Sequence, residues 1–196
     1  MLGIVVLIGA VAGSAAAVIA GRAGHAGSPN PPQPTSTRPV PSSSTEPARQ
    51  QAAQGLSALL AQSVAVRGSV VSAFGDLTRC GPQVAQDAAA FRQAAASRER
   101  LISRLAALPG RSALPAPMIA ALTKAWQASV QADQDFAAWA QDESSHGCHK
   151  NSTSDPHFRA AAGPDNRATQ YKKVFTASWN PIAAQYGLPT YQWDQL

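Results

Sequence analysis

The stretch LSALLAQSVAVRGSVVSAFGDL, residues 56–77, decides the fold class of this chain. Its large apolar side chains recur three and four residues apart, which is the spacing of one face of an α-helix. Two members of that face, Ser63 and Arg67, are polar. The face consists of Leu56, Leu60, Ser63, Arg67, Val70, Phe74 and Leu77. We therefore predict an amphipathic helix over residues 47–77.

Three further segments repeat the helical spacing, and no segment reads as a strand. The second helix is predicted over residues 82–108 and the third over 116–142, separated by a proline-rich break. The fourth is predicted to begin near Pro164 and to be kinked at Pro181, which opens a second short helix. Because the first two connections are short, neighbouring helices should run antiparallel. We predict an all-α fold, an up-down-up-down four-helix bundle, in a domain of residues 48–196.

The segment before this domain reads as an anchor and a linker. Residues 1–21 contain about 20 uncharged, mostly apolar residues, enough for a transmembrane helix through residues 2–21. A cleaved signal peptide is the alternative, although no Lys or Arg precedes the apolar run. Residues 22–47 are rich in Pro, Ser and Thr and predict a disordered stalk. We expect a single-pass cell-membrane protein with its domain on the extracytoplasmic side, or a secreted protein if the signal is cleaved.

The two cysteines fit this location. Cys80 lies at the junction of the first two predicted helices, and Cys148 lies just past the third. In an up-down bundle these two positions share one end, and a disulfide requires Cα atoms about 4.4–6.8 Å apart. Extracytoplasmic compartments are oxidising enough to keep such a bond. We predict a Cys80–Cys148 disulfide.

The sequence DESSHGCHK, residues 142–150, is the only stretch that resembles a chemical site. Glu143 and His146 form a Glu-x-x-His pair, but a di-metal bundle needs two such pairs and two more Glu, and the chain has three Glu in all. A zinc site using His146, Cys148, His149 and His157 stays an alternative that a disulfide would remove. No nucleophile or phosphate-loop motif is present. We expect no enzymatic activity, no catalytic residue, no cofactor and no resident metal.

The charge of the chain is +5, with 14% charged residues. No nucleic-acid-binding motif accompanies it, so we expect no nucleic-acid partner. The basic residues Arg92, Arg100, Arg104 and Arg111 are predicted to lie on the outer side of the second helix and just beyond it. They form either a solvated face or a contact for anionic lipid or for an acidic cell-envelope polymer.

Charged residues also interrupt the predicted core. Arg67 and Asp133 fall in the apolar faces of the first and third helices at a similar depth, and we predict that they face one another with Lys172 nearby. Arg98 falls in the face of the second helix at the level of Trp126, where a cation–π contact is expected. This buried polar layer either fixes the register of the helices or lines a pocket for a small ligand.

The C-terminal sequence FTASWNPIAAQYGLPTYQWDQL, residues 175–196, and the earlier DQDFAAWAQDES, residues 133–144, resemble uncharacterised Ala-rich secreted or membrane-anchored proteins of actinobacteria. The resemblance covers residues 70–196 and implies an extracytoplasmic helical domain, without an activity. The tail of this region, with Tyr191 and Trp193, is expected to fold back over the bundle or to dock on a partner. The sequence therefore predicts a structural or interaction module of the cell envelope, with a ligand- or metal-binding bundle as the alternative.

Overall fold

The computed structural model describes residues 45–150 and 154–196 and is all-helical over them, with 84% of these residues in helices and none in a strand. The predicted all-α class is confirmed. Four long helices account for most of this content. They are α1 (Thr45–Arg79), α2 (Val84–Ala106), α3 (Ala116–His146) and α4 (Pro156–Gln185). One-turn 3₁₀ helices occur at Arg111–Ala113 and Trp193–Gln195. The predicted anchor at residues 2–21 and nearly all of the stalk at 22–47 lie outside the described residues.

The beginning of α4 differs from the prediction. The helix starts at Pro156, eight residues before Pro164, because Asp155 caps it. The Asp155 carboxylate accepts hydrogen bonds from the backbone N–H groups of His157 and Phe158, at 2.7 and 3.1 Å. Proline is also favourable at the first helical position, where no intrahelical donor is needed. Pro181 lies inside the same continuous helix, so the predicted second short helix after it is wrong.

Two apolar clusters fill the space between the helices. The first lies toward the beginning of α1 and the second toward its end. The large buried side chains of the first are Leu56, Leu60, Leu122, Trp126, Phe175 and Trp179, and those of the second are Leu77, Phe91 and Trp139. Because aromatic residues are only 6% of the chain, these few rings supply much of the large-side-chain burial.

Two of the contacts between distant segments lie at the ends of the long helices. The Cys80–Cys148 disulfide links the residue that follows α1 to the second residue after α3. The Tyr186 hydroxyl, just beyond α4, donates to the Glu46 carboxylate at the start of α1 at 2.6 Å. Consecutive helices pack along much of their length, whereas α1 approaches α3 and α4 closely at few positions. The helices that follow one another in sequence are therefore the main packing partners.

The C-terminal tail lies on this helical domain. The Trp179 indole N–H donates to the Pro189 carbonyl at 3.1 Å, and the Asn180 side chain exchanges two hydrogen bonds with the Tyr191 backbone. Leu196 is buried in the first apolar cluster. Trp193 stays 38% exposed, with the Lys173 ammonium 4.7 Å from its ring centroid.

Of the part of the chain that the structure describes, α1 is the one helix long and apolar enough to cross a membrane by length and composition. Its Leu56, Leu60 and Leu77 are buried against the other helices. A core helix can meet the same two criteria, so we describe α1 as part of the folded domain.

Candidate functional site

The sequence DESSHGCHK forms the last turn of α3 and the loop after it, and a disulfide joins this loop to the end of α1. Cys80 and Cys148 are bonded, with Cα atoms 5.6 Å apart, which confirms the predicted disulfide. Buried Glu143 accepts hydrogen bonds from the Trp139 indole N–H at 3.2 Å and from the His149 backbone N–H at 2.7 Å. Glu143 therefore holds the loop after α3 in place.

The alternative of a zinc site loses its sulfur ligand at this loop. The Cys148 sulfur is in the disulfide and cannot act as a thiolate. His146 and His149 are exposed, and His157 lies 3.9 Å from the Asp142 carboxylate. Among residues 45–150 and 154–196, no group of three or more His, Cys, Asp and Glu side chains is placed to hold a metal ion.

A pair of carboxylates near the disulfide was not anticipated from the sequence. Asp87 is 4% exposed, and its Oδ2 atom has no hydrogen-bond partner. Burial and the neighbouring Asp76 carboxylate raise the pKa of Asp87 to about 6. Asp76 is itself engaged, because its Oδ2 accepts a hydrogen bond from the Gln83 backbone N–H at 2.8 Å. Two acids on either side of the short connection between α1 and α2 are the only sequence signal that could have indicated this pair.

A layer of charged residues separates the two apolar clusters. Arg98 of α2 donates a hydrogen bond to the Asp133 carboxylate of α3, and each residue is only 3% exposed. The prediction that Arg67 faces Asp133 is therefore wrong about the partner. Its physical reason lies in the packing, because α2 lies along α3 whereas α1 approaches α3 at few positions. Burial raises the pKa of Asp133 to about 6, although the Arg98 guanidinium acts in the opposite direction.

The expected cation–π contact of Arg98 with Trp126 is also replaced. The Arg98 guanidinium is taken up by Asp133, and the Trp126 indole N–H donates to the Ser63 hydroxyl at 3.0 Å. Ser63 is buried, so this bond satisfies the polar position that interrupts the apolar face of α1. The two polar residues in the apolar face of α1 thus differ. Ser63 has a hydrogen-bond partner, whereas Arg67 has none among the described residues.

Arg67 and Lys172 complete the layer from α1 and α4. Both are half-buried, and neither forms a hydrogen bond or an ion pair with another residue of the described part of the chain. Burial, together with the positive charges of Arg98 and Arg67, lowers the pKa of Lys172 to about 8. Of the predicted buried layer, the structure thus buries Arg98 and Asp133 and leaves Arg67 half-buried.

The four arginines singled out from the sequence are all exposed. Arg92, Arg100 and Arg104 lie on α2, and Arg111 lies in the 3₁₀ turn that follows it. Arg104 donates to the Gln62 side chain of α1 at 2.5 Å. Within the segments described, none of the four has a carboxylate within ion-pair distance.

The chain matches no protein-family model, and searches of curated proteins and of solved structures return no match. What the protein does is therefore inferred from its own residues.

Proposed function

We propose that this chain is a membrane-tethered, non-enzymatic interaction module on the extracytoplasmic side, whose row of arginines on α2 binds a linear anionic polymer of the cell envelope. The observation that carries this proposal is the row itself. It consists of four exposed guanidinium groups without an ion-pair partner in the described residues. Glu99 is the one acidic residue between Arg92 and Arg104.

The module in this proposal is an up-down-up-down four-helix bundle. The disulfide, which joins the end of α1 to the loop after α3, supports this topology at one end. The Tyr186–Glu46 hydrogen bond between the end of α4 and the start of α1 supports it at the other. The connection between α2 and α3 belongs to this second end, since a side chain at Gly110 would contact the Ala48 carbonyl.

The location rests on two sequence features and one bond. Residues 2–21 have the length and composition of a membrane anchor, and residues 22–47 have the composition of an extended linker. A disulfide persists in oxidising compartments and is rare in the cytosol. All three features fit a membrane-tethered domain in an oxidising compartment outside the cytoplasm.

The geometry of the row fits a polymer better than a single small anion. Arg92 and Arg104 are twelve residues apart on one helix, or about 18 Å at 1.5 Å per residue. Arg111 extends the row past the end of the helix. Guanidinium groups bind phosphate and carboxylate oxygens with two parallel hydrogen bonds, so a repeating anion can occupy several of them at once.

The test uses the full-length chain in nanodiscs of neutral lipid, with polyphosphate as the polymer probe. The matched variant replaces Arg92, Arg100, Arg104 and Arg111 with Gln. We expect the wild-type chain to bind with an affinity that falls with salt. Each lost phosphate contact flattens the slope of log K against log salt by about 0.7, so the variant should flatten it by about 3.

Two results would contradict the proposal. An unchanged salt slope in the variant would show that the row does not contact the polymer. Flotation of the nanodisc-bound chain with separate vesicles of anionic lipid, without polyphosphate binding, would identify a lipid surface as the partner instead. Arg159→Gln is the matched control, because it removes an exposed arginine of α4 that lies off the row.

A further inference from the structure

A groove between α1 and α2 lies beside two arginines of the α2 row. Its volume is about 300 Å³, which is at the small end for ligand pockets. Small side chains and neutral polar side chains of both helices line it, and none of these described lining residues is charged. The lining includes Ala65, Val66 and Ser69 of α1 and Gln93, Ala94 and Ser97 of α2. Three of them, Ala65, Ser69 and Gln93, are exposed, so a solute reaches the groove from water.

Arg100 and Arg104 border this α1–α2 groove. The Arg100 guanidinium donates a hydrogen bond at 2.8 Å to the hydroxyl of Ser97, which lines the groove. The Arg104 guanidinium donates to the Gln62 side chain and so reaches from α2 to α1. The polar groove residues of α2 and these two arginines recur four, three and four positions apart, so they lie along one face of the helix. They are Gln93, Ser97, Arg100 and Arg104. Groove and guanidinium groups thus follow one another along about 16 Å of α2.

Charge complementarity limits what can occupy this surface. A chain that carried charge at every position would place an anion in the groove, where it would lose water without gaining a cation as partner. Gln93, Ser69 and Ser97 instead offer an amide and two hydroxyls, which both donate and accept hydrogen bonds. The hydroxyl groups of a sugar also do both. The surface therefore matches a neutral, hydroxylated unit with an anionic group next to it.

We propose that the α1–α2 groove holds a sugar unit of the polymer, while Arg100 and Arg104 bind the anionic group attached to that unit. The assignment rests on the proposed function and narrows its polymer to an anionic polysaccharide. A carboxylate or phosphate on the sugar takes two parallel hydrogen bonds from a guanidinium group. The small side chains of Ala65 and Ala94 leave room for the sugar between the helices.

The experiment compares two polycarboxylates of matched chain length, polygalacturonate and polyglutamate. Each carries one carboxylate per repeat unit, but only the first has sugar hydroxyls. Binding to the full-length chain in nanodiscs of neutral lipid is measured over a series of salt concentrations. We expect polygalacturonate to bind about tenfold or more tightly than polyglutamate at equal salt, because hydrogen bonds in the groove add to the charge contacts.

The matched variants fill either the groove or a surface away from it. Ser69→Leu with Gln93→Leu replaces two exposed groove residues and should abolish the preference for polygalacturonate. The variant should keep the salt slope of polyphosphate binding, because the four arginines of the row are intact. Gln134→Leu with Ser144→Leu, two exposed residues of α3, is the control and should keep both the preference and the slope.

Three results would overturn the assignment. One is equal affinity for the two polycarboxylates at every salt concentration. Another is tighter binding of polyglutamate, which would identify an acidic peptide as the partner. The third is a preference for polygalacturonate that survives in the groove variant. Failure of the proposed function has a different sign, a polyphosphate salt slope that does not change when the arginine row is replaced.

Discussion

Replacement of Asp133 with Asn tests whether the buried Arg98–Asp133 pair acts as one unit. Each residue is 3% exposed, and the guanidinium keeps its charge because arginine is not deprotonated in proteins. The variant leaves that charge buried against a neutral amide. Loss of one partner of a buried pair typically costs about 3–5 kcal/mol, and the retained amide oxygen argues for the lower end. Burial also penalises the Asp133 charge itself, as its raised pKa shows, so neutralising it offsets part of this cost. The variant nevertheless leaves the buried Arg98 charge without its direct partner, and we expect this effect to be the larger one. The net result should be a loss of about 3 kcal/mol in the free energy of unfolding.

Replacement of Arg98 with Met should cost less, because a carboxylate can take up a proton. The pKa of Asp133 is already raised to about 6 by burial, and it rises further without the guanidinium. Full protonation at pH 7 of a group with a pKa near 6 costs about 1.4 kcal/mol, the equivalent of one pH unit. Protonation of Asp133 therefore contributes at most about 1.4 kcal/mol to the loss of stability in Arg98→Met. We expect Arg98→Met to lose about 1–2 kcal/mol at pH 7 and less at pH 5.

The double variant Arg98→Met with Asp133→Leu removes both charges. It should lie within about 1 kcal/mol of the wild type, because apolar replacement of a buried pair is often neutral or stabilising. The assay is urea unfolding of the full-length chain followed by far-UV circular dichroism. Asp135→Asn on the same helix is the control and should change stability by less than about 0.5 kcal/mol. Two results would refute the reasoning. One is an Asp133→Asn variant with the same free energy of unfolding as the wild type, and the other is a double variant that is less stable than Asp133→Asn.

Three further predictions concern the disulfide and two titrating groups. The double variant Cys80→Ser with Cys148→Ser should lose about 2–4 kcal/mol, because the bond closes a loop with a sequence separation of 68; two free thiols in the exported wild-type protein, found by mass spectrometry, would contradict the bond. Because its pKa is raised, Asp87 destabilises the fold increasingly from about pH 4 to pH 6. The free energy of unfolding of Asp87→Asn should therefore exceed that of the wild type by about 1 kcal/mol at pH 8 and by nothing at pH 4. Urea midpoints of the two proteins that differ equally at both pH values would disprove this. The lowered pKa of Lys172 destabilises the fold at pH 7 and ceases to do so as the pH rises from about 8 to above 10. In urea unfolding, Lys172→Met should therefore be more stable than the wild type at pH 7 by about 1–2 kcal/mol and should lose that advantage at high pH.

The helices could be predicted because their signals are local. The three- and four-residue spacing of Leu and aromatic side chains is visible in any window of the sequence, and the proline-rich break before α3 fixes its start at residue 116. The beginning of α4 was misjudged because Pro164 was read as an initiator. A proline is tolerated inside a helix when neighbouring contacts compensate for its missing donor, and the stronger signal was the cap at Asp155 followed by Pro156.

The polar layer could be predicted as a layer but not as a set of pairs. Depth along a helix follows from residue counting, and this placed Arg67 and Asp133 at a similar level and Arg98 at the level of Trp126. Pairing depends on which helices are neighbours and on how each is rotated about its axis. The sequence does not contain that information directly, because many side chains decide the rotation together. The extensive packing of α2 against α3 is what assigns Asp133 to Arg98.

A buried charged layer fixes helix register when its charges are paired directly across helices. Arg98 and Asp133 supply such a pair between α2 and α3. Arg67 and Lys172 are half-buried and have no hydrogen bond or ion pair among the described residues, so they add no contact that specifies register. Burial disfavours their charged forms. The Arg98–Asp133 pair, rather than the number of charges near it, is therefore the part of the layer that can fix the register of α2 against α3.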